Sequence, residues 1–342
     1  MSTCATASEA QDEPLAGTAA SARTWLLIEQ PGPWGAKALT QSRLDPGLGR
    51  ALEAAAGAHG GRVALIRRPG RHADCSPTAR HRVFLARTVP GDSWVRTAVL
   101  SGSDSLEALR DIDFAAVDAP EASGKDTAAA LRGAPWEPYA GDPLALVCTN
   151  GKRDRCCALR GRPLAAELAA SGGANVWEIT HIGGHRFAPT LLVLPHGYAY
   201  GRLGAAVVKG VLDAVRDGRV TLDGCRGRSA WDRPGQAAEL AVRERTGEAR
   251  ADALSVTAVE TAAPADTTAL THTAALAADG ADGARWRVTV AHTDGRRWRV
   301  RLAETADGPP LPASCGAAPV RSVRFDVEEC VQEAAVAGAA RG

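Results

Sequence analysis

The 342-residue chain is too long for one ordinary core and points to two or three modules. Its 45% hydrophobic and 23% charged residues are ordinary for a globular protein, and a chain of this length buries about three quarters of its unfolded surface without covalent staples. Its 40 basic and 39 acidic residues leave a net charge of +1, so no whole-molecule field draws it to nucleic acid or to anionic lipid.

Met1 to Ala22 carries Glu9, Asp12 and Glu13 and lacks both a basic start and an apolar stretch, so it reads as a loose, disordered polar tail rather than a signal peptide. Apolar runs such as Leu191 to Leu194 break within a few positions, far short of the roughly 18 to 20 residues a membrane span requires. The expected compartment is the cytoplasm. In a reducing cytosol the eight cysteines are expected as thiols or metal ligands rather than bridges.

A first module is expected over residues 23–132. Trp25 to Ile28 is a strand closed by Gln30-Pro31-Gly32-Pro33, and Leu48, Leu52, Ala55 and Ala56 recur at helical spacing before Gly60-Gly61. Strand-like runs follow at Val63 to Arg67, Val83 to Arg87 and Trp94 to Leu100, then a helix-like Ser105 to Ile112. After a Pro- and Gly-rich connection around Gly133 to Pro143, the same order returns over residues 140–220. Leu144 to Cys148 is a strand, Cys157 to Ala170 a helix, Val176 to Ile179, Leu191 to Leu194 and Tyr198 to Leu203 strands, and Ala205 to Arg216 a helix. The expected fold is α/β: two thioredoxin-like modules, each a mixed sheet with flanking helices.

Residues 221–342 read as a small α+β region with a helix at Gln236 to Arg245 and amphipathic strands around Trp286 and Trp298. A two-residue Asp294-Gly295 loop would set Val290 against Arg299 and Val288 against Arg301. A three-residue loop, Thr293-Asp294-Gly295 with Gly295 left-handed, pairs Val290 with Trp298 and Val288 with Val300, so patterning selects the bulged hairpin.

The chemistry concentrates in Cys148-Thr-Asn-Gly-Lys-Arg-Asp-Arg-Cys156-Cys157 and His181-Ile-Gly-Gly-His185. In the second module, Cys148 ends the first strand, Cys157 starts the helix, and the histidines follow the next strand. All therefore leave neighbouring strand ends on one sheet edge, where open α/β sheets build sites. Soft thiolates with imidazoles suit zinc or an iron–sulfur centre, not magnesium or calcium. Gly183-Gly184 disfavours a helix between the histidines, so this is not the helical pair of a zinc protease.

These stretches, with Trp25-Leu-Leu-Ile-Glu-Gln-Pro-Gly-Pro-Trp-Gly35, Tyr200-Gly-Arg202 and Arg226-Gly-Arg-Ser229, resemble the sucrase/ferredoxin-like family over about Trp25 to Arg245. The family's thioredoxin-like ferredoxin domains hold a [2Fe-2S] cluster on two cysteines separated by eight residues and two histidines separated by three. The resemblance therefore implies Cys148, Cys157, His181 and His185 as cofactor and metal ligands, with Cys156 as the alternative register. No catalytic residue is expected, and no carboxylate pair stands in a glycosidase setting, so the "sucrase" of the family name carries no hydrolytic reading.

Two uncharged imidazoles would raise the potential above that of an all-cysteine centre, and an imidazole with an exposed N–H would couple that potential to pH. The implied protein is an electron carrier, or the electron-transfer component of an oxidoreductase, working with a redox partner protein to which Arg153, Arg155 and Arg186 offer charge. Two other readings stand beside it: a zinc-stabilised interaction protein using the same four ligands, and a Cys156-Cys157 thiol pair, which lacks the Cys-x-x-Cys spacing of disulfide chemistry. The remaining cysteines Cys75, Cys225, Cys315 and Cys330 read as small packed hydrophobes, Cys4 as part of the tail. His59, His72, His81, His196, His272 and His292 read as ordinary, Arg226 to Ser229 as a solvated basic loop tip, and the first module as a chemically empty scaffold or partner face.

Overall fold

A computed structural model describes residues 3–70, 80–119, 130–172, 174–262 and 283–334; Cys75, His72 and His272 lie outside the described residues. Among the described residues no helix is long and apolar enough to cross a membrane.

Ten strands form one mixed sheet. In chain order they are β1 (Thr24–Glu29), β2 (Gly61–Arg67), β3 (Arg80–Arg87), β4 (Trp94–Ser101), β5 (Glu137–Pro138), β6 (Leu144–Cys148), β7 (Asn175–Ile179), β8 (Thr190–Leu194), β9 (Tyr198–Gly201) and β10 (Cys225–Arg228). Their spatial order is β10-β9-β8-β6-β7-β2-β1-β3-β4-β5. In the first half β1 pairs parallel with β2 and antiparallel with β3, which pairs antiparallel with β4. The second half repeats this with β6, β7, β8 and β9. The doubled strand order read from the sequence is therefore present, and the halves join where β2 and β7 run antiparallel, Ile66 opposite Ile179 and Arg67 opposite Glu178. At that seam Arg67 Nε donates to Glu178 Oε2 over 2.7 Å, and both side chains are nearly buried.

Alternation along each strand divides the core. Leu26 and Ile28 face the helix Pro46–Gly57 with Leu48 and Leu52, whereas Ala145 and Val147 face the helices Arg162–Ala170 and Ala205–Arg216. Their neighbours Trp25, Leu27, Leu144, Leu146 and Cys148 share one cluster on the opposite face, drawn from both halves. The Phe84 ring of β3 meets the Trp177 ring of β7 edge-on at 5.6 Å. In a flat sheet strands three apart would be separated by about 14 Å, so this sheet curls over the shared face.

The C-terminal unit is a four-stranded antiparallel sheet of β11 (Leu254–Ala262), β12 (Arg285–His292), β13 (Arg297–Thr305) and β16 (Arg324–Gln332), with a short pair, β14 (Leu311–Pro312) and β15 (Pro319–Val320). The helix Arg233–Thr246, capped by Asp232, lays Ala238 and Val242 on Val288, Val300 and Leu302. Val290 pairs with Trp298 and Val288 with Val300, and Gly295 has φ +94°, as the patterning of the bulged hairpin requires.

Three expectations are corrected. The N-terminal segment is not a loose tail: the helix Cys4–Ala10 buries Cys4, Ala5 and Ser8. Its acidic neighbours serve as anchors, because Arg160 Nη1 donates to Glu9 Oε2 and Arg186 Nε to Glu13 Oε1 at 2.7 and 2.8 Å. Residues 221–342 do not form one separate region, since β10 pairs with β9 in the large sheet, Cys225 opposite Tyr200. Arg226 to Arg228 lie in this buried strand and Ser229 in the turn after it, not at a solvated tip, and the Arg226 and Arg228 side chains are fully enclosed. Arg228 is spent on the carbonyls of Thr88 and Ala251 and on Asp252.

Candidate metal centre

The first cysteine is delivered by the end of β6. Beyond it Asp154 caps the next turn, its Oδ1 accepting the Cys156 N–H at 2.8 Å and its main-chain oxygen the Cys157 N–H at 3.2 Å. The chain then winds through a π turn, Cys157–Gly161, into the helix Arg162–Ala170. A Cβ on Gly161 would lie 2.1 Å from the Cys148 carbonyl oxygen, so only glycine lets this turn close onto the strand end. Adjacent residues of a helical turn point about 100° apart, so Cys156 and Cys157 face different ways.

The histidine loop leaves β7 at the seam. Thr180 N–H donates to the Leu65 carbonyl at 2.9 Å and its hydroxyl accepts the Leu65 N–H at 3.1 Å, tying the loop's start to β2. Gly184, at φ +72°, turns the chain, and its α-carbon packs against the buried Arg226 guanidinium. Arg226 Nη1 donates to the Gly183 carbonyl at 3.2 Å, and its Nη2 donates to the Thr18 carbonyl. Gly184→Ala would place a methyl 2.0 Å from Arg226 Nη2 in a left-handed conformation costly for any side chain. The expected result is a thermally weaker protein that binds at least tenfold less metal at the histidine loop, read by metal analysis and a melting curve. Metal content and melting equal to the parent would show that the loop does not depend on this contact.

These elements bring Cys148 Sγ, Cys157 Sγ and a ring nitrogen of His181 to within 4.8 Å of one another. Both cysteines are 1% exposed. Hydrogen bonding from Cys157 pushes the Cys148 thiol well below its ordinary value, with His181 adding to it, and the Cys157 thiol moves up in response.

His185 stands outside that trio, but its ring centre lies 5.0 Å from that of His181. Its Nε2 is 2.6 Å from the Ala313 carbonyl oxygen, which fixes that nitrogen as the N–H and leaves Nδ1 a lone pair. Among the described residues, neither Nδ1 of His185 nor Nδ1 of His181, both buried, has a hydrogen-bond partner. Buried polar atoms are rarely left unsatisfied, and His185, held at Nε2 with Nδ1 bare, has the arrangement by which proteins present histidine to a metal.

Cys156 does not join this group. Its Sγ lies 3.4 Å from Cys4 Sγ and 3.3 Å from Cys315 Sγ, beside Asp154. The sequence reading missed Cys4 and Cys315 because they stand 152 and 159 residues from Cys156, beyond any local pattern. It also missed Arg226 as the buttress of the histidine loop.

Residues 15–227 match the sucrase/ferredoxin-like family over more than half of the chain. The chain belongs to that family. Over 97 residues it is 31% identical to "Altered inheritance of mitochondria protein 32" of the yeast Meyerozyma guilliermondii, an alignment covering 25% of this chain and 34% of the relative. The chain thus spans about a third of that protein's length. No solved structure matches it. In this family member the matched region ends at the centre of β10, so the C-terminal sheet and Cys315 lie outside it.

Proposed function

We propose that the protein is an iron–sulfur electron carrier in which Cys148, Cys157, His181 and His185 hold a [2Fe-2S] centre. The observation that carries this reading is the pairing of two enclosed, hydrogen-bonded thiols with two histidines whose Nδ1 atoms are buried and unpartnered. When bound, such a centre supplies a reversible one-electron exchange, at a potential raised by neutral imidazole ligands.

The zinc reading uses the same donors: Cys148, Cys157 and His181 already stand close enough together for one tetrahedral ion, and His185 lies outside that trio. Sulfide analysis separates the two readings. The thiol-pair reading loses its basis because Cys156 and Cys157 lie in separate groups.

His181 borders a cleft of about 590 Å3 between the two halves, lined by Lys37, Arg50, Arg62 and Arg153, with Glu53 the one acidic side chain of its lining among the described residues. That charge favours an acidic redox protein, and of the three arginines considered from the sequence only Arg153 is placed there. Arg186 is engaged by Glu13. His185 Nε2 is capped by the Ala313 carbonyl, whereas the His181 ring borders the cleft.

Iron and acid-labile sulfide analysis of anaerobically purified protein, with its visible spectrum, is the test. Equal iron and sulfide, near two of each per chain, is expected. A colourless protein with zinc and no sulfide at these residues would replace the carrier by the zinc-stabilised interaction protein.

A further inference from the structure

Cys4, Cys156, Cys315 and Asp154 converge from three distant parts of the chain: the N-terminal helix, the turn before the helix Arg162–Ala170, and the segment between β14 and β15. The sulfurs are mutually 3.3, 3.4 and 3.7 Å apart, and Cys4 and Cys156 are each 1% exposed. Asp154 Oδ1 and Oδ2 lie 3.8 and 3.9 Å from Cys4 Sγ.

We propose that these four side chains form a second metal site, separate from the cysteine–histidine centre, that binds one zinc ion through three thiolates and the Asp154 carboxylate. A tetrahedral ion with metal–sulfur bonds of about 2.3 Å holds its sulfurs about 3.8 Å apart, close to the observed spacing. A cubane iron–sulfur cluster would keep its thiolates much farther apart, because each binds a different iron. A disulfide needs about 2.05 Å and would leave the third sulfur unmatched. Soft thiolates with one carboxylate select zinc over the hard cations.

The donors are already braced as ligands are. Asp154 Oδ1 accepts the Cys156 N–H and Oδ2 the Cys315 N–H, each at 2.8 Å, which orients the carboxylate and leaves it further lone pairs. The site pins the N-terminal helix and the C-terminal segment to the second half of the large sheet. Neither inference depends on the other, since zinc reports this site and iron with sulfide the first.

The test is zinc, iron and sulfide analysis of the full chain, parent and variants, after dialysis against a weak chelator. The parent should retain one zinc per chain beside its iron. Cys4→Ser and Cys315→Ser should each lose that zinc while keeping the parent's iron, sulfide and visible spectrum. Because a serine variant can fail to fold, the parent is also exchanged with cobalt alone: thiolate-to-cobalt charge-transfer bands with tetrahedral d–d absorption are expected, beyond the iron–sulfur background. Zinc absent from the parent, zinc retained in the Cys4→Ser/Cys315→Ser double variant, cobalt binding without thiolate bands, or a disulfide among these three cysteines in anaerobically prepared protein would each overturn the proposal. An iron content near six per chain would also overturn it, by placing a cluster here instead.

Discussion

Serine at Cys148 or at Cys157 is expected to abolish bound iron and the visible spectrum, whereas serine at Cys156 should leave both at the parent level. The two neighbouring thiols are separated by the turn that carries them: Cys157 faces Cys148 and His181, and Cys156 faces Cys4 and Cys315. Iron lost at Cys156 and kept at Cys157 would reverse the assignment. Cysteine at His181 or His185 extends the test, because it exchanges a neutral donor for an anionic one. Each variant should keep its cluster at a potential lower by on the order of a hundred millivolts or more, in the direction that separates all-cysteine from histidine-ligated centres. Redox titration reads this directly, and an unchanged potential would remove that histidine from the ligand set.

Glu239→Ala is expected to cost about 3 to 5 kcal/mol, the usual consequence of leaving a buried charge unpaired. Glu239 and Arg243 stand four residues apart on the helix Arg233–Thr246, and both side chains are fully enclosed. Arg243 donates from Nε and Nη2 to Glu239 Oε1 at 3.1 and 3.0 Å, and from Nη2 to the Tyr198 hydroxyl at 2.9 Å. Nη1 donates to the carbonyls of Glu248 and Arg250, and Nη2 also reaches that of Ala251. The pair therefore fastens the helix to β9 and to the chain entering β11, joining the large sheet to the C-terminal unit. Removing the carboxylate strands the guanidinium where water cannot replace it, and the loss is a large share of a typical domain's 5 to 15 kcal/mol. Glu239→Gln keeps an acceptor for Arg243 and should lose less. Denaturant midpoints check both, and a midpoint for Glu239→Ala equal to the parent's would show that the network bears little of the stability.

That network illustrates what could be read in advance. The helix was legible because its apolar residues recur at helical spacing, and the Glu239–Arg243 interval is the ordinary one for a surface pair. Burial of both charges was not, because it depends on Tyr198 of β9 and on carbonyls beyond the helix. The same division holds at the N-terminus. Glu9 and Glu13 have the composition of a solvated tail, and only the placement of Arg160 and Arg186 turns them into anchors. Arg226 to Ser229 looked like a basic tip because its charge was visible and its acceptors, mostly main-chain carbonyls, were not.

The local features were legible in the residues: the doubled strand order, the bulge that sets Val290 against Trp298, and the intervals between Cys148 and Cys157 and between His181 and His185. Repeats of two and of 3.6 residues, turn chemistry and ligand spacing all act within a short stretch of chain, so they can be read without coordinates. Tertiary structure alone decided that β2 and β7 would fuse two halves into one curled sheet, that Cys156 would turn away from Cys157, and that Cys4 and Cys315 would meet it. Those outcomes depend on which buried surfaces close over one another across more than a hundred residues, and no local period carries that information.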